Sequence, residues 1–70
     1  MQIPEKDKHT EGIIFEAATR VFIEKGMDGA RMQEIADRAG INKALLHYYF
    51  RSKERLFSAV FEKIAGQMLD

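Results

Sequence analysis

Residues 31–50 read RMQEIADRAGINKALLHYYF, and this stretch decides the fold. Met32, Ile35, Ala36 and Ala39 recur at three- and four-residue spacing, which puts them on one face of a short helix over residues 31–38. Gly40 stops that helix. Ile41 is a lone apolar residue in the turn and is expected to plug into the core. Asn42 suits the N-cap of a third helix, because its side-chain oxygen can accept a backbone N–H that has no partner within the helix. That helix is expected over residues 43–50, with Leu46 and Phe50 one turn apart and facing inward. Tyr48 and Tyr49 therefore cannot both face the core. Two short helices joined by Ala39, Gly40, Ile41 and Asn42 form a helix-turn-helix signature, in which the first helix holds the second so that it projects from the domain.

Working outward, the upstream segment carries a longer helix that starts near residues 7–10 and runs to Lys25. Ile14, Ala18, Val21 and Phe22 share its inner face, with Lys25 ending the stripe. Gly26 is expected to close it in a left-handed conformation, with Lys25 set against the carboxyl-end dipole. Residues 27–30 read as a turn punctuated by Asp28 and Gly29. Residues 1–8 combine Pro4 with alternating charges and are expected to form a mobile arm. Downstream, Arg51 and Ser52 break the pattern, and Ser52 caps a fourth helix with Glu54 in its first turn. Its apolar side, comprising Leu56, Phe57, Val60, Phe61, Ile64 and Met68, is broader than a three-helix unit can cover. Phe15, Phe57 and Phe61 read as packing residues rather than as a cofactor box.

The fold expected is therefore all-α: a three-helix, homeodomain-like helix-turn-helix domain over residues 9–52, followed by the start of a longer fourth helix over residues 53–70. The uncovered side of that helix implies a partner, either another domain or another subunit, and the 70 residues read as a fragment of something larger.

Composition narrows the function. There is no cysteine, and His9 and His47 are far apart without acidic partners at ligand spacing, so neither a disulfide nor a metal site is expected. No cofactor is implied. No apolar run approaches the roughly 18 residues that span a bilayer, and the polar N-terminus lacks the apolar region of a signal peptide, so a cytoplasmic location without membrane contact is expected. The formal net charge is zero, but its distribution is uneven. Residues 31–55 hold six Lys or Arg against three Asp or Glu, and the rest of the chain compensates with a surplus of acid. A basic segment of this kind is what a phosphate-contacting face requires. No carboxylate pair, nucleophile–base set or glycine-rich phosphate loop appears, so no enzyme is expected.

A projecting helix fits the roughly 12 Å major groove of duplex DNA, where its amino-terminal residues meet base edges. Unpaired N–H groups at the helix starts near Arg31, Lys43 and Lys53 can receive phosphates. Arg38, Arg51 and Arg55 read as solvated or paired surface residues. The rival reading is a helical protein-interaction module that uses the apolar face of the fourth helix. Salt dependence separates the two, since only phosphate neutralisation makes affinity fall steeply with ionic strength.

Three stretches in this order are specific: IFEAATRVFIEKG at 14–26, QEIADRAGINKALLHYYF at 33–50 and RSKERLFSAV at 51–60. Together they resemble the N-terminal DNA-binding domain of the TetR family of bacterial transcriptional regulators. The resemblance implies a bacterial, ligand-responsive regulator, a repressor working as a homodimer on an inverted-repeat operator. It also implies a separate C-terminal domain that dimerises and binds a small-molecule effector. Carried to positions here, it implies base reading by Gln33, Lys43, Ala44, Leu45 and His47. Phosphates are then held by Arg31, Asn42, His47, Tyr48 and Lys53. Ala44-Leu45 stands where the family often has Gly-Thr, and His47 where it often has Tyr. His47 is titratable, so a phosphate grip through it strengthens as pH falls.

Overall fold

The computed structural model describes residues 7–69, which form four helices: α1 (Lys8–Gly29), α2 (Met32–Ala39), α3 (Lys43–Tyr49) and α4 (Lys53–Leu69). No strand occurs among the described residues. The expected arm falls outside them except for Asp7 and Lys8, of which Asp7 caps α1. Its carboxylate accepts from the Thr10 amide at 2.7 Å and from the Thr10 hydroxyl at 3.2 Å. The amide bond holds the Asp7 carboxyl below the ordinary carboxylate range.

Gly26 interrupts α1 with φ 73 and ψ 174, and the chain then makes one further helical turn to Gly29, closed by the Ala30 amide on the Gly26 carbonyl at 3.0 Å. The expected turn at 27–30 is thus a short helical one. Lys25 is the last residue before the break at Gly26 and so ends the first helical segment, as expected. From there its ammonium reaches Glu34 of α2 at 2.8 Å. An ion pair is a better-directed partner for an ammonium than a diffuse helix dipole.

Gly40 ends α2 in the left-handed region (φ 74, ψ 27). Its amide bonds to Asp37 at 3.2 Å and that of Ile41 to Ala36 at 3.0 Å, the paired bonds of a Schellman closure. Ile41 packs against the core as expected. Asn42 caps α3 by accepting from the Leu45 amide at 2.7 Å, and Ser52 caps α4 by accepting from the Arg55 amide at 3.2 Å.

The core joins all four helices. Ile14, Val21, Ile35, Leu46 and Leu56 are fully buried, with Ala18 and Ala36 allowing close approach between helices. Each large side chain so buried contributes about 1.5–3 kcal/mol relative to exposure. α2 packs on both α1 and α3, while α4 returns against α1. An ion-pair strap reinforces the α1–α2 contact. Arg38 grips both oxygens of Glu24, at 2.6 and 3.0 Å, and also reaches Glu34 at 3.1 Å. The Arg38 guanidinium lowers the Glu24 pKa, the Lys25 ammonium lowers that of Glu34, and Glu24 in turn raises that of Arg38.

Candidate nucleic-acid interface

The first turn of α3 lies at the surface, while the middle and the carboxyl end of the helix are fastened from below. Leu46 is fully buried and Tyr49 nearly so, while Lys43 and Ala44 are exposed. Tyr49, rather than Tyr48, is the tyrosine that enters the core. Its hydroxyl accepts the Asp7 amide at 3.0 Å, which removes the penalty of burying a phenol unpaired. Tyr48, 37% exposed, rests edge-on against the Tyr49 ring with centroids 5.7 Å apart. Phe50 is half-buried and stacks at a tilt on Phe15, with centroids 5.5 Å apart.

The side chains assigned to DNA divide by how committed they already are. Lys43 and Arg31 are exposed, and no ion pair between described residues engages either. Asn42 spends its carbonyl oxygen on the α3 cap, leaving its amide N–H groups as donors. Leu45 is half-buried and packs against the core, so Ala44 is the more accessible apolar contact. Gln33 is exposed on α2, but its amide nitrogen donates to Asp37 at 2.9 Å. His47 is half-buried, with Nδ1 3.3 Å from the Arg51 carbonyl oxygen. A carbonyl oxygen can only accept, so Nδ1–H donates and Nε2 is the nitrogen left for a partner. Lys53 donates to the Ala30 carbonyl at 3.1 Å, a contact that no local pattern in the sequence signals.

Charge is sorted across the fold. The strap neutralises Lys25 and Arg38 at the α1–α2 contact, as the surface-paired reading of Arg38 anticipated. Arg31, Lys43, Arg51 and Lys53 have no such ion pair among the described residues. They flank the α2 and α3 starts and the α3–α4 junction. Among the described residues no group of His, Cys, Asp or Glu could hold a metal ion.

The model of bacterial regulatory proteins of the tetR family matches residues 14–60. The chain belongs to the TetR family. The helix-turn-helix geometry at α2 and α3 is that of this family, whose members regulate transcription by binding DNA. The transcriptional activator FasR of Mycolicibacterium smegmatis is 39% identical over 62 residues, covering 89% of this chain and 27% of its own. The transcriptional repressor NicS of Pseudomonas putida is 42% identical over 55 residues, covering 79% and 26%. A crystal structure of a HlyIIR mutant protein, with residues 170-185 substituted by alanine, superposes with a TM-score of 0.79 at 41% identity, covering 84% of this chain and 33% of that one. The TetR-family chain described here thus spans about a quarter to a third of the length of these relatives. Both an activator and a repressor carry the motif, so the motif itself does not set the sign of regulation.

The α4 face separates into a covered and an uncovered half. Leu56 and Val60 are buried, and Phe57 meets Phe22 edge-on with centroids 5.1 Å apart. Phe61, expected as a packing residue, is 64% exposed, and Met68 is 78% exposed. α1 is the one helix α4 packs on closely, and a single helix contact covers only one stripe of a side this broad. No helix among the described residues is long and apolar enough to cross a membrane.

Proposed function

We propose that this domain binds duplex DNA in a sequence-specific manner by laying α3 in the major groove, as one half of a homodimeric, ligand-responsive transcriptional regulator. The observation that carries the reading is the exposed first turn of α3, with Lys43 and Ala44 outward over a buried Leu46, on a TetR-family scaffold. Lys43 donates to guanine O6 and N7, Ala44 meets a thymine methyl, and His47 reads through Nε2. Leu45 adds only the apolar rim that its half-burial leaves exposed. Gln33 pairs with an adenine edge after giving up Asp37. Arg31, Asn42, His47, Tyr48 and Lys53 hold phosphates and so fix the register.

The rest of the regulator packs on the uncovered side of α4, where Phe61 and Met68 stand exposed, joins two subunits and takes a small-molecule effector. The operator is an inverted repeat with half-sites about one helical turn or more apart. Repression follows by occluding a promoter, and the effector acts by changing the half-site spacing. The working compartment is the bacterial cytoplasm.

The test is selection of bound sequences from a random duplex pool, with affinity then measured across a salt series. A defined half-site is expected, with log K falling by about 0.9 per neutralised phosphate for each unit of log salt. One half-site alone binds weakly, because the avidity of two linked modules is absent. Lys43→Ala is expected to relax one base position, where a good contact is worth about 1–3 kcal/mol against the wrong base. No enrichment, or salt-independent binding, refutes the proposal and leaves the α4 face as the functional surface of a protein-interaction module.

A further inference from the structure

We infer that Lys53 is a positioning residue for the helix-turn-helix, a strut from the first turn of α4 to the entry of α2, in addition to any phosphate it meets. The ammonium donates to the carbonyl of Ala30 at 3.1 Å, across 23 residues of chain, in a part-buried setting. Ala30 closes the last turn of α1, is almost fully buried, and immediately precedes Arg31, the N-cap of α2. Arg31 makes no side-chain cap bond, so this end of α2 lacks the local fastening that Asn42 and Ser52 give to α3 and α4. The strut from Lys53 supplies a fastening from outside the helix.

Placement of a cation here has no local rationale. A lysine at the first position of α4 opposes the helix dipole, and Glu54 beside it supplies the favourable charge instead. The ammonium is turned away from its own helix toward an acceptor on another element. One of its three N–H groups is then used, and two remain for a phosphate. The Ala30 carbonyl gains a charged donor, stronger than a neutral one. With Lys53 in place, α4, the end of α1 and the start of α2 move as a unit, and α2 in turn carries α3. A phosphate bound at Lys53 therefore sits on the same atom that sets the entry of the reading pair.

The phosphate half of this picture rests on the DNA-binding reading, but the strut does not, and two readouts keep them apart. The first needs no DNA: hydrogen exchange at the Ile35 amide, which makes the opening bond of α2 to the Arg31 carbonyl at 3.1 Å. Lys53→Met keeps the apolar stem and removes the donor, and it is expected to quicken that exchange by roughly tenfold or more. Lys53→Arg restores a charged donor and is expected to recover most of the protection. Ser52→Ala removes the α4 cap without touching the strut, and it is expected to leave Ile35 exchange relative to the α1 amides unchanged.

The second readout is the salt dependence of DNA affinity. Loss of a phosphate contact alone lowers the slope by roughly one and leaves the affinity extrapolated to molar salt intact. Loss of positioning lowers that extrapolated affinity as well, and both changes are expected for Lys53→Met. Unchanged Ile35 exchange in Lys53→Met overturns the strut, as does a loss confined to the slope. If no variant, nor the parent chain, binds any duplex, the proposed function fails while the exchange result still decides the strut.

Discussion

Gly26 and Gly40 share a positive φ, 73 and 74, but differ in ψ, 174 against 27, and that difference makes opposite demands on a replacement residue. A Cβ at either position meets no atom within 4 Å, so any cost is local backbone strain rather than a clash with a neighbour. Gly40 lies in the left-handed helical region, which costs an ordinary L-residue about 1–2 kcal/mol but which asparagine tolerates. The stiffer unfolded chain returns about 0.4–1 kcal/mol of this. Gly40→Ala should therefore lose about 1 kcal/mol, or roughly 4–8 °C in Tm for a domain of this size. Gly40→Asn should lose clearly less. Gly26 lies in a region open essentially only to glycine, where strain runs to about 1–3 kcal/mol. Gly26→Ala should lose more than Gly40→Ala, and Gly26→Asn should bring no relief, because asparagine's tolerance does not extend to that ψ. The assay is thermal unfolding of the four variants and the parent, followed by far-ultraviolet circular dichroism. Equal losses for alanine and asparagine at position 40, or rescue by asparagine at position 26, would mean that ψ does not sort the two glycines.

Three further outcomes follow from the packing and the charges. Leu46→Ala empties a fully buried site, at a cost of about 2–5 kcal/mol, against a net stability of about 3–5 kcal/mol for so small a core. The chain should lose most of its stability, and a cooperative thermal transition near that of the parent would contradict this. Tyr49→Phe leaves the Asp7 amide without its acceptor and should cost about 0.5–1.5 kcal/mol, read as a lower Tm with faster exchange at the α1 start. The carboxyls of Asp7, Glu24 and Glu34 are held below their ordinary values by the Thr10 amide, Arg38 and Lys25 respectively. Since each binds its proton less readily folded than unfolded, their contribution is full above the ordinary carboxylate range and is lost as pH falls through the lowered values. Thermal midpoints in an acid titration should decline over that window, and the double variant Glu24→Gln with Glu34→Gln should decline less steeply.

Features that depend on residues within about one helical turn of one another were legible in the amino-acid order. Asn42 and Ser52 cap their helices through amides three residues on, and Gly40 closes α2 through bonds that end at Ile41. The inner faces of the helices, from Ile14 to Leu56, follow from apolar spacing for the same reason. Which of several chemically equal partners each long side chain takes was settled by the packing of the helices. Lys25 took Glu34 as its ion-pair partner, Tyr49 took the Asp7 amide 42 residues away and so became the buried tyrosine, and Lys53 took the Ala30 carbonyl. The exposed residues of the reading face were legible as positions, but their readiness for DNA was not. Gln33 is tied to Asp37 and Leu45 leans inward, while Lys43 stands unengaged by any ion pair among the described residues. Local bonds are written in sequence spacing, whereas partners across the fold depend on distances that exist only once the helices have packed.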